Sequence, residues 1–347
     1  MKINRLNIRQ SAEERESRLS PYATRSRSSR GRERQEEPCP IRTAFQRDRD
    51  RILHCKSFRR LKHKTQVFIA PLGDHYVTRL THTLEVSQLA RTIARALNLN
   101  EDLTEAISLG HDLGHTPFGH IGEDVLDELF PDGFKHYQQS LRVVDTLENG
   151  GRGLNLTWEV RDGILNHSKS GEDIFGQNWT QTGSLEGDIC KISDAIAYIN
   201  HDIGDAIRAG IITEEDLPST AAEVLGQSHR QRINTMVCNI IENSWQVTGL
   251  VKSNKKPTIR MGDEIRNAAN ELRRFLFERV YRIVSSRPEG ARAREVIKNL
   301  YGYFIKNEAE MPAEYRCGDD ELERRVVDYI AGMTDQYALN LADKLAL

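Results

Sequence analysis

Ten residues, HDLGHTPFGH at positions 111–120, place three histidines and an aspartate at a bend between two stretches of helical apolar spacing. Five of the chain's eleven histidines fall between His82 and His136, and His111 is followed at once by Asp112. Neutral imidazole beside a carboxylate suits a divalent metal of intermediate hardness. Upstream, Leu80, Leu84, Leu89, Ile93 and Leu97 recur at helical spacing, which predicts a helix over 78–97 with His82 in its first turns. Asn98 breaks that helix and Asn100 caps a second, over 101–115, that carries His111, Asp112 and His115 with the two histidines one turn apart. Thr116 precedes Pro117, which disfavours helix and predicts a tight bend. A third helix, over 119–130, starts with His120 and Glu123 one turn apart.

The rest of the chain also reads as helix. Pro71, Gly73 and Asp74 mark a turn; 134–167 is helical but broken at Gly150, Gly151 and Gly153; and 168–187 reads as a long polar loop. Over 189–209, Ile189, Ile192, Ile196, Ile199 and Ile203 form a buried side, while Asp194, Tyr198 and Asp202 repeat every four residues on another. Such a stripe is placed to line a pocket. After Leu217 the pattern stays helical and chemically plain, over 223–247, 262–285, 289–308 and 320–347, with a basic loop at 252–257. The fold class predicted is all-α. Its expected organisation is a basic arm (1–40), a catalytic core (41–215) and a C-terminal helical region (216–347).

Composition narrows the class. The chain is 38% apolar and 29% charged, as helix-rich soluble proteins are. No apolar run approaches the ~20 residues of a bilayer span, and MKINRLNIRQ lacks the apolar centre of a signal peptide, so the expectation is a cytoplasmic protein with no membrane contact. Cys39, Cys55, Cys190, Cys238 and Cys317 form no CxxC pair, which predicts reduced, structural thiols rather than a thiolate zinc site. Net charge is −2, yet residues 1–60 hold 17 Lys+Arg against 8 Asp+Glu. Such an arm attracts phosphate or nucleic acid, or packs on a neighbouring subunit.

A lone histidine on a helix is usually structural. Taken together, His82, His111, Asp112 and Asp194 bring two imidazoles and two carboxylates from three predicted helices. That donor set suits manganese, magnesium, iron, nickel or zinc and leaves positions for water and substrate oxygens.

These residues resemble a known family. His82, the His111–Asp112 pair and Asp194 match the H…HD…D signature of HD-domain phosphohydrolases. The strings RTAFQRDRDRILHCKSFRRLKHKTQVF, RLTHTLEV, HDLGHTPFGHIGE and ISDAIAYINHD resemble the deoxynucleoside triphosphate triphosphohydrolases, the bacterial dGTPase-like branch. The likeness runs from about Ser20 to Asp202 and returns in DYIAGMTDQYA. It implies hydrolysis of a dNTP to a deoxynucleoside and inorganic triphosphate, with the cation on His82, His111, Asp112 and Asp194. It also implies that His115, His120 and His136 line the phosphate side, with His120 as proton donor to the leaving oxygen and Glu123 as its orienting partner. Arg79 is placed to meet phosphate as a guanidinium fork, against the plainer role of a surface ion pair. Gln66, Tyr198 and Asp202 match positions that hold the sugar, where a carboxylate and an aromatic ring would select deoxyribose. The chain departs from the animal-type relatives at Ala195, where they carry lysine.

Two other readings remain open: an HD phosphohydrolase of other specificity, such as a 5′-nucleotidase or a hydrolase of a signalling nucleotide, and a nucleic-acid-binding regulator with a vestigial site. A nucleotide effector or single-stranded nucleic acid at the basic segments is a further expected partner. The resemblance implies a homo-oligomer, tetramer or hexamer, with the C-terminal helices at interfaces.

Overall fold

The computed structural model describes residues 7–69, 76–168, 173–176, 179–251, 256–316 and 319–347. The turn expected at Pro71 to Asp74, most of the basic loop at 252–257, and Cys317 lie outside the described residues. Among those described there are helices and two isolated bridges, with no strand, so the chain is all-α. No described helix is long and apolar enough to cross a membrane. The four described cysteines are unpaired.

Local signals set most helix starts. After α1 (Ile8–Glu16), α2 (Ala44–His54) opens with a capping box between Thr43 and Gln46. Thr78 caps α3 (Arg79–Ala96) in the same way, through Thr81. Asn98 takes φ +56° and ends the apolar run, and Asn100 accepts from the Leu103 amide to start α4 (Glu101–Gly110). Then follow α5 (His120–Leu129), α6 (His136–Arg142), α7 (Trp158–Asn166) and the long α8 (Leu185–Arg208), capped by Ser184. The C-terminal part holds α9 (His229–Asn243), α10 (Asp263–Leu276), α11 (Pro288–Lys306), α12 (Leu322–Ala331) and α13 (Asp335–Lys344). A wide turn at Phe277–Tyr281 and a short helix at Arg282–Ser286 extend α10.

The helix expected over 101–115 stops at Gly110, and 111–114 form a turn. The reason is a distant hydroxyl. Ser140 Oγ donates to the His111 carbonyl (2.6 Å) and accepts from the Gly114 amide (2.9 Å), which satisfies the groups a helix end leaves open. A Cβ on Gly114 would lie 2.1 Å from the Ser140 nitrogen, so only glycine lets α6 approach this closely. The sharp turn carries His111, Asp112 and His115 into the interior rather than along one helix face.

Two apolar cores hold the helices. In the first, Val86, Leu89 and Ile93 of α3 and Leu103 and Ile107 of α4 meet the isoleucines of α8, all five of which are fully buried as their spacing predicts. That core continues across residue 216 through Met236, Ile240, Leu272 and Leu276. The second joins Ile121, Val125 and Leu126 of α5 to Val296, Ile297 and Leu300 of α11 and Val326, Val327 and Ile330 of α12. Each buried isoleucine contributes about 1.5–3 kcal/mol, and truncating Ile196 to alanine would cost about 2–5 kcal/mol.

The described part of the basic arm packs onto this body. Buried Glu186 of α8 accepts from the Thr24 amide and hydroxyl and from the Asn100 amide, and Glu16 takes the Ser26 amide and hydroxyl. Arg32 pairs with buried Asp48, and Arg30 lies over the Trp158 ring at 3.6 Å. Further arm cations pair with Glu13, Glu36 and Asp50, so much of the local positive charge is met within the chain.

Candidate active site

A cavity of about 760 Å³ opens where α3, the 111–115 turn, α8 and the end of α10 meet. Eleven of the twelve residues selected from the sequence touch it or its wall: Gln66, Arg79, His82, Asp112, His115, His120, His136, Asp194, Tyr198 and Asp202 line it, and Glu123 stands behind two of its histidines. The twelfth, His111, packs behind His82 and Asp112, with ring centroids 5.5 Å from His82.

Asp112 sits at the centre. Its Oδ1 lies 3.4 Å from His111 Nε2 and 3.5 Å from His115 Nε2, while Oδ2 accepts from Arg79 (2.8 Å) and lies 3.8 Å from His82 Nε2. His82 Nε2 is also 3.2 Å from Asp194 Oδ1. Burial pushes the Asp112 carboxyl up, but electrostatic attraction from His111, Arg79 and His82 outweighs it and holds it well below the usual range. The group is a buried carboxylate.

The partner of each Nδ1 settles what the other nitrogen can do. His111 Nδ1 donates to the Ser108 carbonyl (2.6 Å), so in the neutral ring Nε2 bears the lone pair; it is buried with no hydrogen-bond partner. His82 Nδ1 lies 2.8 Å from His201 Nε2, which leaves its Nε2 toward Asp194 and Asp112. Burial, before any other cause, keeps His82 below its ordinary value. An orphaned, buried imidazole nitrogen beside carboxylates fits a divalent cation, and donor atoms of His82, His111 and Asp112 lie within 4.8 Å of one another.

On the opposite side the partner is a carboxylate. Glu123 accepts from the His136 amide (2.9 Å) and faces His136 Nδ1 at 2.8 Å and His120 Nδ1 at 3.3 Å. It therefore holds His136 more closely than His120. The surrounding protein lowers the His120 pKa by burial, yet the Glu123 hydrogen bond and charge prevail and raise it, while the ring surface itself is 69% open to the cavity. Glu123 is pushed up by burial and pulled well below the carboxylate range by His136 and His120. His115 stacks on His136, centroids 4.0 Å apart, and burial keeps it uncharged.

Arg79 is 1% exposed and has one anchored nitrogen, on Asp112; Nε and its second terminal nitrogen are buried without partners. The surface ion pair considered from sequence is thus a buried one with donors to spare. The Tyr198 hydroxyl accepts from Arg273 Nε. Tyr281 donates to Asp202 Oδ2 (2.5 Å), and Asp202 Oδ1 stands 2.8 Å from His201 Nδ1 without the alignment of a hydrogen bond.

Sequence reasoning missed His167, His201, Arg273 and Tyr281. His167 is an isolated histidine with no motif around it, and His201, though inside ISDAIAYINHD, falls off the Asp194–Tyr198–Asp202 repeat. Arg273 and Tyr281 lie in the region read as chemically plain, because a helical apolar pattern identifies the buried face and not the polar flank that meets a cavity.

Comparison with known proteins identifies the family. A family model of the HD domain matches residues 79–199, and one of a phosphohydrolase-associated domain matches 259–344. The chain is 57% identical over 337 residues to the deoxyguanosinetriphosphate triphosphohydrolase-like protein of Caldanaerobacter subterraneus subsp. tengcongensis, covering 96% of this chain and 94% of that one. Its namesake in Desulfatibacillum aliphaticivorans is 49% identical across 98% of each chain, and that of Clostridium perfringens strain SM101 51% across 94% of each. This chain belongs to the HD-domain phosphohydrolases, in the deoxyguanosinetriphosphate triphosphohydrolase-like family.

Proposed function

We propose that the protein hydrolyses deoxynucleoside triphosphates at the α-phosphorus, releasing a deoxynucleoside and inorganic triphosphate. One observation carries the reading: a single cavity, of a size suited to a small organic ligand, has the Asp112 cluster and Arg79 at one wall and the Tyr198–Asp202–Tyr281 group at another.

A divalent cation held by His82, His111, Asp112 and Asp194 would offset phosphate charge and bring the pKa of a water to about 7 in favourable sites. Everything else falls to the chain. The two unpartnered nitrogens of Arg79 are free to bind phosphate oxygens in fork geometry. Water attacks the α-phosphorus, the bond to the 5′-oxygen breaks, and that oxygen needs a proton. His120 supplies it, since Glu123 favours its protonated form and its ring faces the cavity. His115, neutral and buried, is a hydrogen-bonding wall rather than an acid.

Sugar selection follows from the opposite wall. Arg273 fixes the Tyr198 phenol, so the ring cannot swing aside for a 2′-hydroxyl. With Oδ2 of Asp202 taken by Tyr281, Oδ1 is the atom left to accept from a 3′-hydroxyl.

The test is a panel of NTPs and dNTPs, each with manganese, magnesium, iron, nickel and zinc, with products separated by chromatography. Triphosphate and a deoxynucleoside are expected. Release of phosphate or pyrophosphate instead would move the protein to another phosphohydrolase specificity.

A further inference from the structure

The 111–115 turn has a second side. Asp112 and His115 line the catalytic cavity, whereas Leu113 and Gly114 line a separate hollow of about 170 Å³ between the turn and α12. Buried Lys64 bridges the two. Its Nζ donates to the His115 carbonyl, on the turn, and to the Ala331 carbonyl (2.8 Å), at the end of α12. An ammonium has three donors, so one N–H is left, and Lys64 forms part of the wall of the hollow.

The carboxylates of that wall are engaged elsewhere. Asp328 and Asp320 accept from Arg142, Glu148 from the Ser57 amide and hydroxyl, and Glu314 from Lys56 at the rim. Among the described residues no carboxylate pairs with Lys64 or with Arg60, whose Nη1 reaches the Tyr315 hydroxyl at 3.5 Å. A Cβ on Gly332 would stand 3.3 Å from that nitrogen and 2.9 Å from the Tyr315 hydroxyl, so glycine keeps the space beside the guanidinium open. Burial first, and then the charge of Arg60, bring the Lys64 pKa down to about 7. Two such cations, one of them fully buried, are stable together when an anion joins them or when the lysine gives up its proton.

We propose that this hollow is a binding site for a small inorganic phosphoryl anion, held by the Arg60 guanidinium and the third donor of Lys64. Size sets the class. Pockets for drug-sized ligands begin at about 300 Å³, and about 170 Å³ is roughly the liquid volume of six waters, room for one or two phosphoryl groups without a nucleoside. The guanidinium fork matches the oxygens of such an anion. The occupant sits on the ammonium that ties the catalytic turn to α12. Neither Arg60 nor Lys64 lines the catalytic cavity, so the site does not depend on the dNTP reading.

The test titrates metal-depleted full-length protein calorimetrically with inorganic phosphate, with pyrophosphate and, as a size control, with deoxyguanosine monophosphate. Wild type is expected to bind phosphate or pyrophosphate at one site per subunit, and the tighter of the two gives the number of phosphoryl groups held. Arg60→Gln is expected to weaken that binding by about 10–100-fold, as loss of a charged hydrogen-bond donor does. Gly332→Ala gives the same reading through volume rather than charge. Arg79→Gln, altered in the catalytic cavity, is expected to keep the binding, and the monophosphate is expected not to compete for it. Thermal melting confirms that each variant is folded. Binding that survives both Arg60→Gln and Gly332→Ala, or that is lost in Arg79→Gln, places the anion in the catalytic cavity and overturns the site. Wild-type protein that binds neither anion at millimolar concentration also overturns it and assigns Lys64 its neutral form. Competition by the monophosphate overturns the assignment to an inorganic anion.

Discussion

The histidines of this cavity divide by the partner of Nδ1. On the α3 side, His111 gives that proton to the Ser108 carbonyl and His82 Nδ1 lies against His201, so each turns Nε2 toward a carboxylate. On the α5 side, His120 and His136 meet Glu123, whose hydrogen bond and charge raise the His120 pKa against the effect of burial. One residue type thus serves as ligand and as proton carrier a few ångströms apart. A carbonyl fixes a tautomer without charging the ring; a carboxylate does both. His167 lies on the α5 side but carries a carbonyl partner like that of His111.

Breaking the ligand side has the largest consequence. Asp112→Ala removes the acceptor of Arg79 and the carboxylate common to four histidines, and hydrolysis measured by product chromatography should fall to background. Appreciable turnover in that variant would separate catalysis from the cluster. Breaking the carrier side costs less: His120→Ala should lower kcat by about 10²–10⁴-fold, the usual contribution of a general acid. Intact kcat would move the proton donor elsewhere. His201→Ala leaves every ligand in place but frees His82 Nδ1, and cation affinity measured by titration calorimetry should weaken by about 10–100-fold. Unchanged affinity would make His201 a packing residue.

The smallest effect is the most specific. Because the Glu123 hydrogen bond and charge raise the His120 pKa, His120 stays protonated to higher pH and the rate should fall only as pH passes that raised value. Glu123→Gln removes the raising influence, so the alkaline limb of kcat against pH should move toward acid. A limb that stays in place would assign it to another group.

Much of this division was legible in the sequence. The leucine spacing announced α3 and Asn100 announced α4, the isoleucine spacing predicted the buried side of α8, and the Asp194–Tyr198–Asp202 stripe lines the cavity as its four-residue repeat implied. The helix end at Gly110 was not, because the hydroxyl that completes the turn belongs to Ser140, about thirty residues on. Nor was the hold of Glu123 on His136, which depends on how α6 enters after the bend. Sequence spacing reports neighbours along a helix; it carries nothing about which carbonyl or carboxylate a distant ring will meet. Arg273 and Tyr281 illustrate this, since their chemistry comes only from where α10 docks beside α8.

The most direct test is divalent-cation titration of metal-depleted His111→Ala and His120→Ala, prepared side by side with wild type. The account predicts that His111→Ala loses high-affinity binding while His120→Ala retains it and loses only rate. Equal loss of cation affinity in both variants, or its retention in His111→Ala, would contradict the division of the cavity into ligands and proton carriers.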